Sequence, residues 1–182
     1  MKKLLASLCV MALLCFVVHA AELESGLKLG DKVGAYNVKD ITGPSAGKSL
    51  CYRCKYGARP VVNVFAREVN GDLAKLVVEV DKLVEQNKDK NMAAFVTVLA
   101  EDADKIAPLL EEIAKKNDIK NVPLTIFDGE SGPGSYKIAK DASVTVLMWS
   151  GSEVKANVAF GKGQLDAKAI QTVVENTDKI LN

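Results

Sequence analysis

The sequence predicts a single α/β domain in three layers, with a mixed central sheet, helices on both faces and an N-terminal edge hairpin. Three observations predict it. Pro60-Val61-Val62-Asn63-Val64-Phe65-Ala66 is a run of β-branched and apolar residues, the pattern of a strand buried on both faces. A short turn, Arg67 to Gly71, leads into a helical stripe of Leu73, Leu76, Val77, Val80, Leu83 and Val84 at i, i+3, i+4 spacing. Strands and helices then alternate, which gives parallel pairs, until Ser150-Gly151-Ser152 turns tightly enough to force an antiparallel one.

The chain opens with a targeting segment. Met1-Lys2-Lys3 supplies the positive start, Leu4 to Val18 is apolar, and Val18-His19-Ala20 offers a cleavage site. The run is short for a membrane span and no second one follows. Leu precedes both Cys9 and Cys15 where a lipid anchor wants a small residue. The expectation is cleavage after Ala20 and export to periplasm or medium, with an uncleaved anchor as the alternative. Residues 21–182 then form the domain, about 160 residues, enough chain for a real core.

Export changes the chemical inventory. Cys9, Cys15 and His19, the only histidine, leave with the signal. The mature chain keeps Cys51 and Cys54 and no histidine, which excludes Ser-His and Cys-His catalysis and any His-ligated metal. Lys55 stands where a c-type haem site needs His. Losing Lys2 and Lys3 lowers the formal charge from +1 to −1. Acidic and basic residues are interspersed, so there is no footprint for nucleic acid or for an anionic membrane.

After a loose lead-in from Glu22 to Leu29, Tyr36 and Val38 alternate with polar neighbours ahead of a Thr42-Gly43-Pro44 turn, an edge hairpin. Gly43 to Ser49 resembles a phosphate loop, but its glycine spacing is one residue short and no apolar strand leads in. Ser49 to Arg59, a connector rich in Tyr, Lys and Arg, holds the Cys-x-x-Cys. Asp72 is the expected N-cap of the first long helix. Asn91 to Ala100 is a second buried strand. Asp102 or Asp104 starts a helix with Ile106, Leu109, Leu110 and Ile113 on one face, which Pro108 should bend or delay. Asn121 to Phe127 is a third strand, Tyr136 to Ala139 a short helix, Val144 to Trp149 a fourth strand and Glu153 to Phe160 its hairpin partner. A last helix covers Leu165 to Leu181, with Ala169, Ile170, Val173, Val174, Thr177 and Ile180 inward. Trp149 reads as core or rim. The carboxylates of the two central helices read as solvated surface. Tyr52 and Tyr56, with Arg53, Lys55 and Arg59, form a weak candidate for an exposed contact patch.

The motif Gly30-Asp31-x-x-Gly34-x-Tyr36-x-Val38-x-Asp40-x-x-Gly43 is similar to the opening segment of peroxiredoxins and of exported, membrane-side thioredoxin-like reductases. Those proteins usually carry Pro where Gly34 stands and Phe where Tyr36 stands. The pieces Val61 to Ala66, Val122 to Asp128, Tyr136 to Ile138, Val144 to Ser150 and Gly161 fall in the same family order. The resemblance runs from Gly30 to the C-terminus and implies a thioredoxin-like fold. It also implies a reactive Cys-x-x-Cys at the start of the helix after the first core strand, where the helix end favours a thiolate. Here Val69 and Asp72 occupy those two places, and no peroxidatic cysteine lies in the loop. Val144 stands where the family places a cis-proline facing the dithiol. Both halves of the usual site are absent.

Cys51-Tyr52-Arg53-Cys54 is therefore the one chemical constellation left. It reads as a relocated redox pair with Arg53, Lys55 and Arg59 nearby to favour a thiolate, as a structural disulfide, or as half of a metal site shared by two chains. A loop so short removes little chain entropy when closed, so a structural bridge there adds little stability. A strand of this length spans roughly 20 Å at about 3.3 Å per residue. The cysteines precede it and Val69 follows it, so the pair should lie at the opposite end of the sheet from the usual site. The expected function is thiol–disulfide exchange or redox sensing through Cys51 and Cys54, with Cys51 slightly favoured as the attacking residue. The alternative is a non-catalytic binding or scaffold module with a structural disulfide. No cofactor is expected; a protein partner is.

Overall fold

The computed structural model describes residues 23–182, so the targeting segment and its cleavage site lie outside the described residues. A small hairpin comes first: β1 (Val38–Asp40) and β2 (Ser49–Leu50), antiparallel, with Val38 opposite Leu50. A short helix, α1 (Tyr52–Tyr56), leads to the central strand β3 (Val61–Ala66). Then follow α2 (Gly71–Gln86), β4 (Ala93–Ala100), α3 (Ala103–Lys116) and β5 (Leu124–Asp128). A 3-10 turn at Gly134–Tyr136 precedes β6 (Val144–Ser150), β7 (Glu153–Phe160), α4 (Ala167–Asn176) and α5 (Asp178–Leu181). The strands form one sheet in the order β2-β1-β5-β4-β3-β6-β7. Strands β3, β4 and β5 are parallel, whereas β6 is antiparallel to β3 and β7 to β6.

Strand periodicity divides each central strand between two cores. Val62, Val64 and Ala66 of β3, with Ala94, Val96 and Val98 of β4, face the core built with α2, α3, α4 and α5. Val61, Phe65, Phe95, Leu147 and Trp149 face the other, closed by Leu27, Val33, Tyr36, Tyr52 and Tyr136. Helices thus lie on both faces, but unequally: the long ones share one face, because β3 to β4 and β4 to β5 are successive crossovers in the same direction and of the same hand. Among the described residues the second face carries α1, the 3-10 turn and the N-terminal segment. Trp149 is fully buried there, as core.

Several boundaries differ from the sequence expectation for local reasons. The N-cap of α2 is Asn70, not Asp72: Asn70 Oδ1 accepts the N–H of Asp72 (3.1 Å) and of Leu73 (3.0 Å). Asp72 instead sits in the first turn, paired with Lys75 at 2.9 Å. Pro108 delays nothing: α3 starts at Ala103, capped by Asp102, and runs through the proline. Leu109 is exposed while Leu110 is buried, so the inward face is narrower than the periodicity suggests. The expected last helix is divided, with Thr177 Oγ1 donating to the Val174 carbonyl at 2.6 Å between α4 and α5.

Candidate functional site

The Cys-x-x-Cys connector is not a loop. Cys51 is the N-cap of α1, with its Sγ accepting the Cys54 N–H at 3.0 Å. The two cysteines form a disulfide, with 5.2 Å between their Cα atoms. Cys51 is half-buried and Cys54 is exposed. The arrangement is local: an extended N-cap residue, one helical turn, then Gly57 at φ +59, a conformation that glycine adopts without strain.

What fixes α1 in place is a buried carboxylate. Asp40 is fully buried at the end of β1 and accepts three hydrogen bonds of 2.8 Å, from Gly43 N, Ser45 N and Tyr52 Oη. Those bonds explain the glycine-rich segment that resembles a phosphate loop. Its amides turn inward onto Asp40, and a Cβ on Gly43 would stand 2.4 Å from Tyr52 Oη and 2.7 Å from each Asp40 oxygen. Burial, then the Asp40 carboxylate, raises the Tyr52 phenol well above the usual tyrosine range, so Tyr52 stays a neutral donor.

The two tyrosines were expected in an exposed patch, and the structure corrects this. Tyr52 is fully buried, its ring stacked on Phe95 at 5.3 Å, and Tyr56 is half-buried with its hydroxyl on the Ala94 carbonyl at 3.3 Å. Burial raises the Tyr56 phenol as well. The cations are the residues that reach outward. Lys55 and Arg59 are exposed, and each packs against a tyrosine ring, 5.5 Å from Tyr52 and 5.2 Å from Tyr56. Arg53 Nε donates to Val33 O at 3.1 Å, and Arg59 holds the Asn91 and Met92 carbonyls at 2.7 and 3.1 Å. The flanks of α1 are therefore tied where β3 and β4 begin.

At the place of the usual site, Val69 and Asp72 lie at the start of α2, on the face of the sheet opposite α1. Cys51 is not beside Asp72. Val144 pairs with Ala66 across the sheet, and no cis peptide occurs among the described residues. A cavity of about 200 Å³ remains there, lined by Glu68, Asn70, Asp72, Ser143, Val144 and Lys162. Arg67 fills the role of a clamp. It donates to the carbonyls of Ala142 (3.0 Å), Ala139 (2.9 Å) and Glu130, tying the β5–β6 connection to the end of β3.

Three features escaped sequence reasoning. Asp81 of α2 is not solvated surface: its carboxylate accepts N–H groups of Lys120, Asn121 and Val122, which is also why β5 starts only at Leu124. Asn63 donates to Tyr36 Oη at 2.7 Å, and Thr97 bonds the same hydroxyl at 3.0 Å, a buried polar network between Phe65 and Phe95. Desolvation raises the Tyr36 phenol strongly, so it remains protonated. Asp40 carried a signal, as the acid of an Asp-Ile-Thr-Gly turn; Asp81 carried none. Among the described residues no group of three or more His, Cys, Asp or Glu side chains is placed to hold a metal ion.

No protein-family profile matches the sequence, and no curated protein matches it. Solved structures do match in fold. A solution structure assigned to a protein disulfide isomerase of Bacteroides thetaiotaomicron superposes with TM-score 0.64 at 14% identity, covering 87% of this chain and 94% of its own. Peroxidoxin BcpB from Mycobacterium tuberculosis gives 0.60 at 15% identity, with 86% and 99% covered. The thioredoxin domain of a thiol-disulfide oxidoreductase from Bacteroides vulgatus gives 0.59 at 13%, with 86% and 99% covered. The chain has the thioredoxin-like fold, and the structures similar to it in fold include both oxidoreductases and a peroxidoxin. Among the described residues, no helix is long and apolar enough to cross a membrane.

Proposed function

We propose that this is an exported thiol–disulfide exchange protein that works through Cys51 and Cys54, on a thioredoxin-like fold whose usual active-site positions carry no sulfur. One observation carries the reading: Cys54 is exposed, while Cys51 caps α1 and accepts the Cys54 N–H at 3.0 Å. That donor, with Arg53 and Lys55 beside it, stabilises a thiolate on Cys51. A partner thiolate then meets Cys54 first. It bonds to Cys54 Sγ, the Cys51–Cys54 bond breaks, and Cys51 leaves as the stabilised thiolate. A second partner thiol attacks the partner sulfur of the mixed disulfide and releases reduced Cys54. Two electrons pass from the partner dithiol to the pair. In reverse, Cys54 carries the mixed disulfide and Cys51 resolves it. The geometry thus favours Cys54 as the contact residue, against the slight preference for Cys51 that motif order alone suggests.

The test is a redox titration of residues 21–182 in glutathione buffers, with thiols alkylated and counted by mass spectrometry. A midpoint between roughly −270 and −120 mV supports exchange; one below about −300 mV marks a structural disulfide and overturns the reading. Cys51→Ser should then trap partners through Cys54 better than the converse variant. The binding-module alternative is supported by the loss of both halves of the usual site at Val69, Asp72 and Val144, and it takes over if the disulfide proves inert.

A further inference from the structure

Beside α1 lies a groove of about 560 Å³ whose charged lining is entirely basic. Lys55 and Arg59 come from α1 and its exit turn, Lys88 from the turn after α2, and Lys120 from the loop ahead of β5. No carboxylate lines it. Lys88 and Lys120 are paired with Glu85 (2.5 Å) and Asp118 (2.6 Å), whereas Lys55 and Arg59 form no ion pair among the described residues. Arg59 is fixed by its two carbonyl contacts, so one edge of its guanidinium is held and its charge is presented at a set position. The floor is apolar, with Met92 buried beneath it and Pro44 at the rim. Lys55 directly follows the exposed Cys54 in the chain.

We infer that this groove docks an acidic polypeptide segment of the redox partner, one that carries its reactive cysteine flanked by Asp or Glu. The inference rests on the exchange reading above and names its substrate class. The groove spans three separate elements and exceeds what one small anion fills, so it suits an extended segment with several carboxylates and an apolar side chain for the floor. Cations along a concave wall concentrate an acidic chain and raise its encounter rate. Salt weakens the effect, since exposed charges are screened over about 8 Å at physiological ionic strength.

The experiment compares the rate at which three thiols reduce the oxidised protein: a Glu-flanked cysteine peptide, a Lys-flanked one of the same length, and glutathione. The Glu-flanked peptide should react roughly tenfold faster than the Lys-flanked one at low salt, with the ratio collapsing at high salt. Lys55→Glu with Lys88→Glu should abolish or reverse the ratio, and the exposed Lys168→Glu on α4 should leave it unchanged. A change in intrinsic sulfur reactivity would alter both peptides alike and leave the ratio intact. A Glu-flanked peptide with Ser for Cys is titrated in parallel, to read binding without chemistry. Equal peptide rates, or a Lys168→Glu effect matching the groove variants, overturn the inference. So does glutathione sharing the full advantage, which would make the groove a small-thiol site. If no thiol reduces the protein, the exchange reading itself falls, and the inference with it. Docking failure is recognised separately, by reduction that proceeds with no charge preference.

Discussion

The thioredoxin-like fold here has two ends that differ in what holds them and what they offer. At the C-terminal end of β3, where this fold usually keeps its sulfur, Arg67 is spent on three carbonyls and the start of α2 presents Val69, Asn70 and Asp72. On the other face, a five-residue helix carries the disulfide and is anchored by Asp40 through Tyr52. The first end is tied by Arg67 and carries no cysteine; the second carries the disulfide on a five-residue helix. A thiolate is favoured by a local N–H donor, and a short helix capped by its own cysteine places one at Cys51 Sγ without the dipole of a long helix. The difference teaches that a disulfide, with an N–H donor to one of its sulfurs, needs little support from the fold and can sit away from the usual place.

The comparison breaks most sharply at Asp40. Asp40→Ala removes one acceptor shared by three buried or half-buried donors, and each hydrogen bond to a charged group contributes about 1.5–3 kcal/mol. Stability in urea should fall by about 5 kcal/mol, near the low end for three such bonds, and the disulfide should react faster as α1 loosens. Unchanged disulfide reactivity would show that α1 does not depend on this anchor. Arg67→Ala should cost less, about 2 kcal/mol, because one of its three bonds is exposed and the other two are half-buried, so water replaces part of the loss. It should leave reduction of Cys51–Cys54 untouched. Coupled changes at both ends would mean that the sheet transmits between them and that the ends are not independent.

Most of the fold was legible because it rests on patterns that a sequence shows directly. The β3 run, the α2 stripe and the tight turn at Gly151 each dictate one element and one pairing. The unequal distribution of helices was not legible: the hand of each crossover is fixed in advance, but whether successive crossovers run in one direction depends on the strand order of the assembled sheet. The cysteine pair was visible as a pair, but its setting was not: five residues with no apolar stripe give no helical period, and what orders them is Asp40, twelve positions before Tyr52. Asp81 was hidden for the same reason, as its partners at residues 120–122 are about forty positions away. Tyr52 and Tyr56 were misplaced because Tyr beside Lys and Arg looks solvated, while only the tertiary fold reveals Phe95 beneath them.

Two smaller changes sharpen the contrast. Tyr52→Phe keeps the ring on Phe95 and removes one donor, leaving Asp40 with its two amides. It should cost about 1.5 kcal/mol, near the low end for a bond to a charged acceptor. If the loss equals that of Asp40→Ala, the tyrosine alone carries the anchor and the glycine turn is passive. The smallest effect lies at Glu153, which receives Lys155 (2.6 Å) and Lys32 (2.9 Å) and thereby ties the N-terminal segment to β7. Hydrogen bonds from these two lysines hold its carboxyl down at about 2, below its ordinary value of 4.5. A depressed folded-state value gives stability that is present above pH 4.5 and is lost as pH falls toward 2. Both partners are in contact with solvent, so the contribution is small and salt-sensitive. Glu153→Gln should therefore flatten the acid limb of the stability profile at low salt, with little change at high salt. The rate of disulfide reduction should be the same in both proteins, because nothing in this surface cluster touches α1. A rate that follows Glu153 would place the N-terminal segment, through Val33 and its bond to Arg53, within the redox site.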